Sequence, residues 1–87
     1  MKANKGKVLR YLHTARGQID GICKMIEEDR YCMEIVDQIS ASIALLKKTE
    51  REVLTGHLTH CVKEATKEED LDEKIKELER LLDRLLS

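Results

Sequence analysis

Proline, tryptophan and phenylalanine are absent from this 87-residue chain, and its aromatic content is two tyrosines. With 38% charged residues, that composition reads as helices packed in coiled-coil fashion and argues against a sheet protein. A chain of this size without large aromatics has a thin core, so association with another copy is expected. No stretch approaches the ~20 apolar residues that cross a bilayer. The charged start, Met1-Lys2-Ala3-Asn4-Lys5, leads into no apolar run, so no signal peptide is read and a cytoplasmic location is expected, with no membrane partner. In that compartment the three cysteines serve as metal ligands or core thiols, not as a disulfide framework. No phosphate loop, acid pair or general base stands out, so no enzyme is expected.

A charge excess is also missing: the net charge is −1. Its distribution is uneven. Residues 1–19 hold Lys2, Lys5, Lys7, Arg10 and Arg16 and no acid, a local +5. Residues 20–63 carry −2 and residues 64–87 carry −4. In an oligomer the basic end is multiplied, and phosphate contacts are counted over the whole assembly.

Apolar spacing predicts one all-helical domain over residues 1–87, with three helices, two long and one short. The first spans ~4–28, with a seam of Val8, Leu12, Ala15, Ile19, Ile22 and Ile26 stepping by 4, 3, 4, 3, 4. Gly17 and Gly21 lie inside it, four residues apart, and would let a packed helix or a DNA phosphate come close. A polar break at Glu27-Glu28-Asp29-Arg30-Tyr31 is short enough to fold the second helix back antiparallel, with Asp29 or Tyr31 at its start. The second helix spans ~31–64 and carries Ile35, Ile39, Ile43, Leu46, Val53 and Leu54, with Gly56 as a point of loosening or kinking. A second break is read at Lys67-Glu68-Glu69-Asp70. The third helix then spans ~71–86 on Leu71, Ile75, Leu78, Leu82 and Leu85. No compact helix-turn-helix is present.

His57 and Cys61 stand four residues apart, so a helix presents both on one face. Imidazole and thiolate are metal ligands, and soft sulfur favours Cu(I) or Zn(II) over hard cations. Cys32 is the third candidate. It lies 25 residues before His57 on the same predicted helix, roughly 37 Å at 1.5 Å per residue. No metal bridges that span, so Cys32 can join the site only from another copy. Two such helices packed antiparallel and crossing near residue 45 would bring them together, with Ile39, Ile43 and Leu46 at the crossing. By spacing alone, the alternative of a buried thiol beside an ordinary histidine stands level with a metal site. Cys23, beside Ile22, reads as plain core, and His13 and His60 read as surface residues.

Four stretches, in order, resemble the copper-sensitive operon repressor family. They are Leu12-His13-Thr14-Ala15-Arg16-Gly17-Gln18-Ile19-Asp20-Gly21-Ile22, Met25-Ile26-Glu27-Glu28-Asp29-Arg30-Tyr31-Cys32, Gln38-Ile39-Ser40-Ala41 and His57-Leu58-Thr59-His60-Cys61. The resemblance implies an antiparallel four-helix dimer that pairs into a homotetramer. It implies a repressor that binds operator double-stranded DNA when metal-free. Cu(I) at a three-coordinate site between subunits releases the DNA and derepresses copper-resistance genes. The ligands map to Cys32, His57 and Cys61, and a supporting pair to Tyr31 and Glu77. Branches that sense other signals differ: the place that holds His in nickel and cobalt sensors is Cys61 here, and residues 1–12 contain no His. Zn(II) would be a non-cognate ligand of the same donors.

For DNA, the resemblance points to Lys5, Lys7, Arg10, Arg16, Gln18 and Lys48, with Lys47 and Arg51 behind them. Tyr11 stands where family members often carry Arg, and Lys48 replaces another Arg, keeping the charge but losing the bidentate fork. Three other readings stay open on the sequence: a sensor of another thiophilic signal, a copper buffer without a DNA role, and a plain helical oligomerisation module.

Overall fold

A computed structural model of the chain describes residues 1–64 and 68–87, and only the backbone of residues 68–70. Among the described residues it is all-α: α1 (Lys5–Glu27), α2 (Cys32–Glu64) and α3 (Glu68–Leu86).

Each boundary has a local cause. Asn4 caps α1, its side-chain oxygen accepting the Lys7 backbone N–H at 3.0 Å, which satisfies one of the first-turn donors that no helical carbonyl reaches. At the other end, the Arg30 N–H donates to Met25 O and the Asp29 N–H to Ile26 O. This is the paired closure that ends helices on a left-handed residue. That residue is Asp29, at φ 53°, a conformation Asp tolerates better than most because its short polar side chain bonds locally. Asp29 therefore closes α1 and does not cap α2. The carbonyl of Tyr31 accepts the N–H groups of Glu34 and Ile35 and so opens α2.

α2 then runs helically through Gly56 to Glu64. α3 begins at Glu68, three residues before the predicted start. Acidic residues favour the positive end of a helix, so Glu68, Glu69 and Asp70 read as a break although they start the helix. Lys67, the first residue of that predicted break, lies outside the described residues.

α1 and α2 pack antiparallel in one register. Lys7 pairs with Glu52, and Ser42 Oγ donates to Gln18 Oε1 at 2.9 Å. α3 folds back along the second half of α2 and, among the described residues, does not pack against α1. The resulting body measures 58 × 27 × 12 Å. Its least dimension is about one helix diameter, so the chain is a single layer of helices.

A layer this thin buries little. Val8 and Ala15 are the buried apolar residues among those described, joined by Ser42 and Thr49. The α1 face toward α2 is Val8, Tyr11, Ala15, Gln18, Ile22 and Met25. The predicted α1 seam is thus divided. Its members Leu12, Ile19 and Ile26 lie outside, 39%, 47% and 56% exposed. On α2, Ile39, Ile43 and Leu46 are likewise exposed, while Ser42, Leu45 and Thr49 turn toward α1. Cys23, read as core, is exposed. A Cβ at Gly17 or Gly21 would meet nothing within 4 Å. The accessible surface is 6793 Å², against roughly 5,300 Å² for a compact monomer of this mass.

The left-handed turn gives a direct test. Asp29→Val forces a β-branched residue into φ 53° and is expected to lower stability by about 1–2 kcal/mol in urea unfolding. Asp29→Gly is expected to match or exceed the wild type. Equal losses for both variants would show that the side chain, not the backbone angle, matters there.

Candidate metal centre

The second half of α2 carries His57 and Cys61 on one face, and α3 brings Glu77 against them. His57 Nε2 lies 3.0 Å from Glu77 Oε1 and 3.5 Å from Cys61 Sγ. A carboxylate only accepts hydrogen bonds, so Nε2 carries the proton in the first contact. In a neutral ring the lone pair is then on Nδ1. Both contacts converge on one nitrogen and leave the other uncommitted. Glu77 is steadied by Lys74 one turn before it, whose Nζ lies 3.8 Å from Oε2. The site is half-open: the side chains of His57 and Glu77 are 45% and 30% exposed.

Beside this pair lies a cavity of about 670 Å³ between α2, α3 and the N-terminal segment. Its walls include Val53, Leu54, Leu81 and Leu85, with Glu50 and Arg84 among them. The N-terminal segment reaches this point because Gly56 lacks a side chain. A Cβ there would stand 2.5 Å from Ala3 Cα and 2.8 Å from Ala3 N. Gly56 is therefore a point of close approach, not a kink. Its position in a helix interior, where Gly costs about 1 kcal/mol relative to Ala, was the available signal; Ala3 as the partner had none.

Cys32 lies at the first position of α2 and is exposed, at the far end from His57. Tyr31 next to it is 68% exposed. Within one chain, and among the described residues, no group of three or more His, Cys, Asp or Glu side chains comes together as a metal cluster. What one chain assembles is two contacts of the His57 ring, one to Glu77 and one to Cys61, and not a three-ligand cluster. Cys32 and Tyr31 form a separate exposed pair. His60 pairs with Glu64 at 3.5 Å, and His13 is exposed.

The residues expected at DNA divide similarly. Lys5, Arg10, Arg16 and Lys48 are exposed. Lys7 is half-buried and held by Glu52 Oε2 at 3.4 Å. Gln18 is half-buried and accepts from Ser42, which makes it part of the helix–helix contact. Tyr11 was singled out only as a departure. It lies between Lys48 Nζ, 4.9 Å from its ring centroid, and Arg10, whose guanidinium carbon is 6.0 Å away.

Residues 4–84 match the family described as metal-sensitive transcriptional repressors. The copper-sensing transcriptional repressor CsoR of Bacillus subtilis is 40% identical over 74 residues, covering 85% of this chain and 73% of that protein. The copper-sensing transcriptional repressor RicR of Mycobacterium tuberculosis is 41% identical over 64 residues, covering 74% and 67%. Among solved structures, CsoR with Cu(I) from Geobacillus thermodenitrificans is 30% identical, with a TM-score of 0.80 over 100% of this chain and 94% of that one. The nickel-responsive transcriptional regulator InrS is 28% identical, with a TM-score of 0.81 over 98% and 96%.

The Gly56 contact is testable. In Gly56→Val the new side chain occupies the place of the Ala3 backbone, so residues 1–4 must leave α2. The expected result is a stability loss of about 1–3 kcal/mol and faster amide exchange at Lys7, whose N–H Asn4 caps. Unchanged exchange at Lys7 would show that α1 starts independently of this contact.

Proposed function

The chain belongs to the metal-sensitive transcriptional repressor family, whose members are not enzymes, and we propose that within it this chain is a Cu(I)-responsive repressor of double-stranded operator DNA. The observation that carries the reading is the His57–Glu77 bond beside Cys61. It commits Nε2 and leaves Nδ1 as the ligand atom, with the soft thiol of Cys61 on the same helix face, 3.5 Å from Nε2. Cys32 of a second copy supplies the third donor, because α2 holds its own Cys32 roughly 37 Å from His57. Two sulfurs and one imidazole suit three-coordinate Cu(I) and give no octahedral set for nickel. Zn(II) is a non-cognate occupant of these donors.

The divided seam supports the partner. Leu12, Ile19 and Ile26 of α1 and Ile39, Ile43 and Leu46 of α2 form an exposed apolar face on a layer one helix thick. Covering it with the same face of a second copy makes a four-helix dimer, and dimers pair into a tetramer. The two-fold places each Cys32 beside the other copy's His57 and Cys61. The protein acts in the cytoplasm, where its thiols stay reduced.

In the metal-free protein, His57 donates to Glu77 and so ties α2 to α3. A Cu(I) ion held by His57 would draw on the ring's lone pair and make Nε2–H a stronger donor to Glu77, so the same bond would sense occupancy. Tyr31 arrives with Cys32 from the second copy. Lys5, Lys7, Arg10, Arg16, Gln18 and Lys48 serve the DNA side. Lys7 and Gln18 act through α2 contacts as much as through phosphate, given their bonds to Glu52 and Ser42.

Anaerobic Cu(I) titration is expected to give one ion per protomer and to weaken duplex binding by a factor within about 5–150. Cys32→Ser and Cys61→Ser should lose Cu(I) affinity. His57→Ala should keep binding through the two sulfurs and lose the DNA response, while Glu77→Ala and Tyr31→Phe should keep the affinity and reduce the response. Duplex binding that is unchanged at Cu(I) saturation would make the protein a copper buffer; a response to Ni(II) alone would overturn the metal assignment.

The assembly has its own test. Ile43→Glu places a charge on the exposed α2 stripe and is expected to shift the sedimenting species toward monomer and to lower Cu(I) affinity together. A variant that stays oligomeric would place the interface elsewhere.

A further inference from the structure

We infer that Tyr11 is the positioning residue of a phosphate-binding platform built from two helices, holding Lys48 of α2 beside Arg10 of α1 so that one stretch of duplex backbone engages both. The inference rests on the duplex-binding reading and names how that surface is organised.

Three observations carry it. Lys48 Nζ stands 4.9 Å from the Tyr11 ring centroid and the Arg10 guanidinium carbon 6.0 Å from it, both within the range where a cation is drawn to an aromatic face. The pairing agrees with the antiparallel register set by Lys7 against Glu52 and Gln18 against Ser42, so Tyr11 and Lys48 are opposite neighbours. The two cations are also uncommitted. Among the described residues, Lys7, Arg30 and Lys74 each have a carboxylate within ion-pair distance, whereas Arg10 and Lys48 have none.

The chemistry follows from these facts. A free lysine carries about 2 kcal/mol of rotamer entropy, much of which is lost when it is fixed on a phosphate. The ring restrains Lys48 beforehand without neutralising it, because a quadrupole does not consume the charge as a carboxylate would. Tyr11 is itself half-buried against α2, so the restraint is transmitted from the helix–helix contact. The N-terminal residues 1–19 hold five bases and no acid, which selects a polyanion as the ligand.

The test is fluorescence anisotropy of the metal-free full chain with a GC-rich duplex across a range of KCl concentrations. Tyr11→Leu is expected to weaken binding about fivefold and to reduce the slope of log affinity against log salt by about one. Tyr11→Phe retains the ring and should stay within about twofold of wild type. Lys48→Gln, an exposed change that leaves packing intact, should reproduce the Tyr11→Leu loss, and the double variant should be no worse than either single one. Equal losses in Tyr11→Phe and Tyr11→Leu, additive losses in the double variant, or an unchanged salt slope would overturn the role of the ring. Absence of binding by the wild-type chain would instead overturn the duplex-binding reading itself.

Discussion

α2 runs 33 residues without a break, and much else in the chain is a consequence of its unbroken length. A helix that rises about 1.5 Å per residue cannot bring its ends together, so the thiol at Cys32 and the imidazole and thiol at His57 and Cys61 belong to different places in one protomer. Among the described residues, both other helices pack against this same rod. α1 lies along it on one side, α3 covers its second half, and the body is one helix thick. Such a layer has two broad faces and no interior. The separated donors and the uncovered apolar face therefore come from one cause, and on the proposed reading one event, pairing with a second copy, resolves both.

The sequence made the number and approximate extent of the helices readable because heptad spacing is a property of each helix alone. It misled where one spacing served two faces. In α1, steps of 4 and 3 run through Val8, Leu12, Ala15, Ile19, Ile22 and Ile26. Yet Val8, Ala15 and Ile22 turn to α2, whereas Leu12, Ile19 and Ile26 point away. Periodicity says that a residue is apolar on a stripe; it does not say which neighbour the stripe meets. Cys23 was misplaced for the same reason. Asp29 and the acids before Leu71 failed differently, because their residue types suit both a break and a helix end. At the site, the i, i+4 spacing of His57 and Cys61 was legible locally, while Glu77 rested on resemblance. Ala3 against Gly56 and Lys48 against Tyr11 depend on the antiparallel register, which is set by contacts far apart in the chain.

The strengths of these contacts decide which can hold the N-terminal segment in place. Lys7–Glu52 is a partly exposed ion pair at 3.4 Å, a class worth about 0–1 kcal/mol and weakened by salt. The Asn4 cap contributes about 1 kcal/mol to starting α1 but does not join α1 to α2. The Ala3–Gly56 approach is steric, with no room for even a methyl group. It is not screened by salt and is lost abruptly when either backbone shifts. Of the three, it is the contact that most tightly fixes the start of α1 relative to the helix turn that carries His57.

That ordering bears on how a small ligand could move a large surface. A regulatory coupling of 1–3 kcal/mol is no larger than one or two hydrogen bonds, each worth about 0.5–1.5 kcal/mol net. The His57–Glu77 bond is of that size, and it sits one residue from Gly56. A shift of α2 at His57 large enough to alter this bond also alters the seat of Ala3. Ala3 leads directly through the Asn4 cap into the basic face of α1, and that face meets α2 again at Tyr11 and Lys48. On the proposed reading, the metal site and the DNA platform are thus linked through α2, which carries both His57 and Lys48 and seats Ala3 at Gly56. On that reading no relay of side chains between them is needed, because His57 and Lys48 belong to one continuous helix.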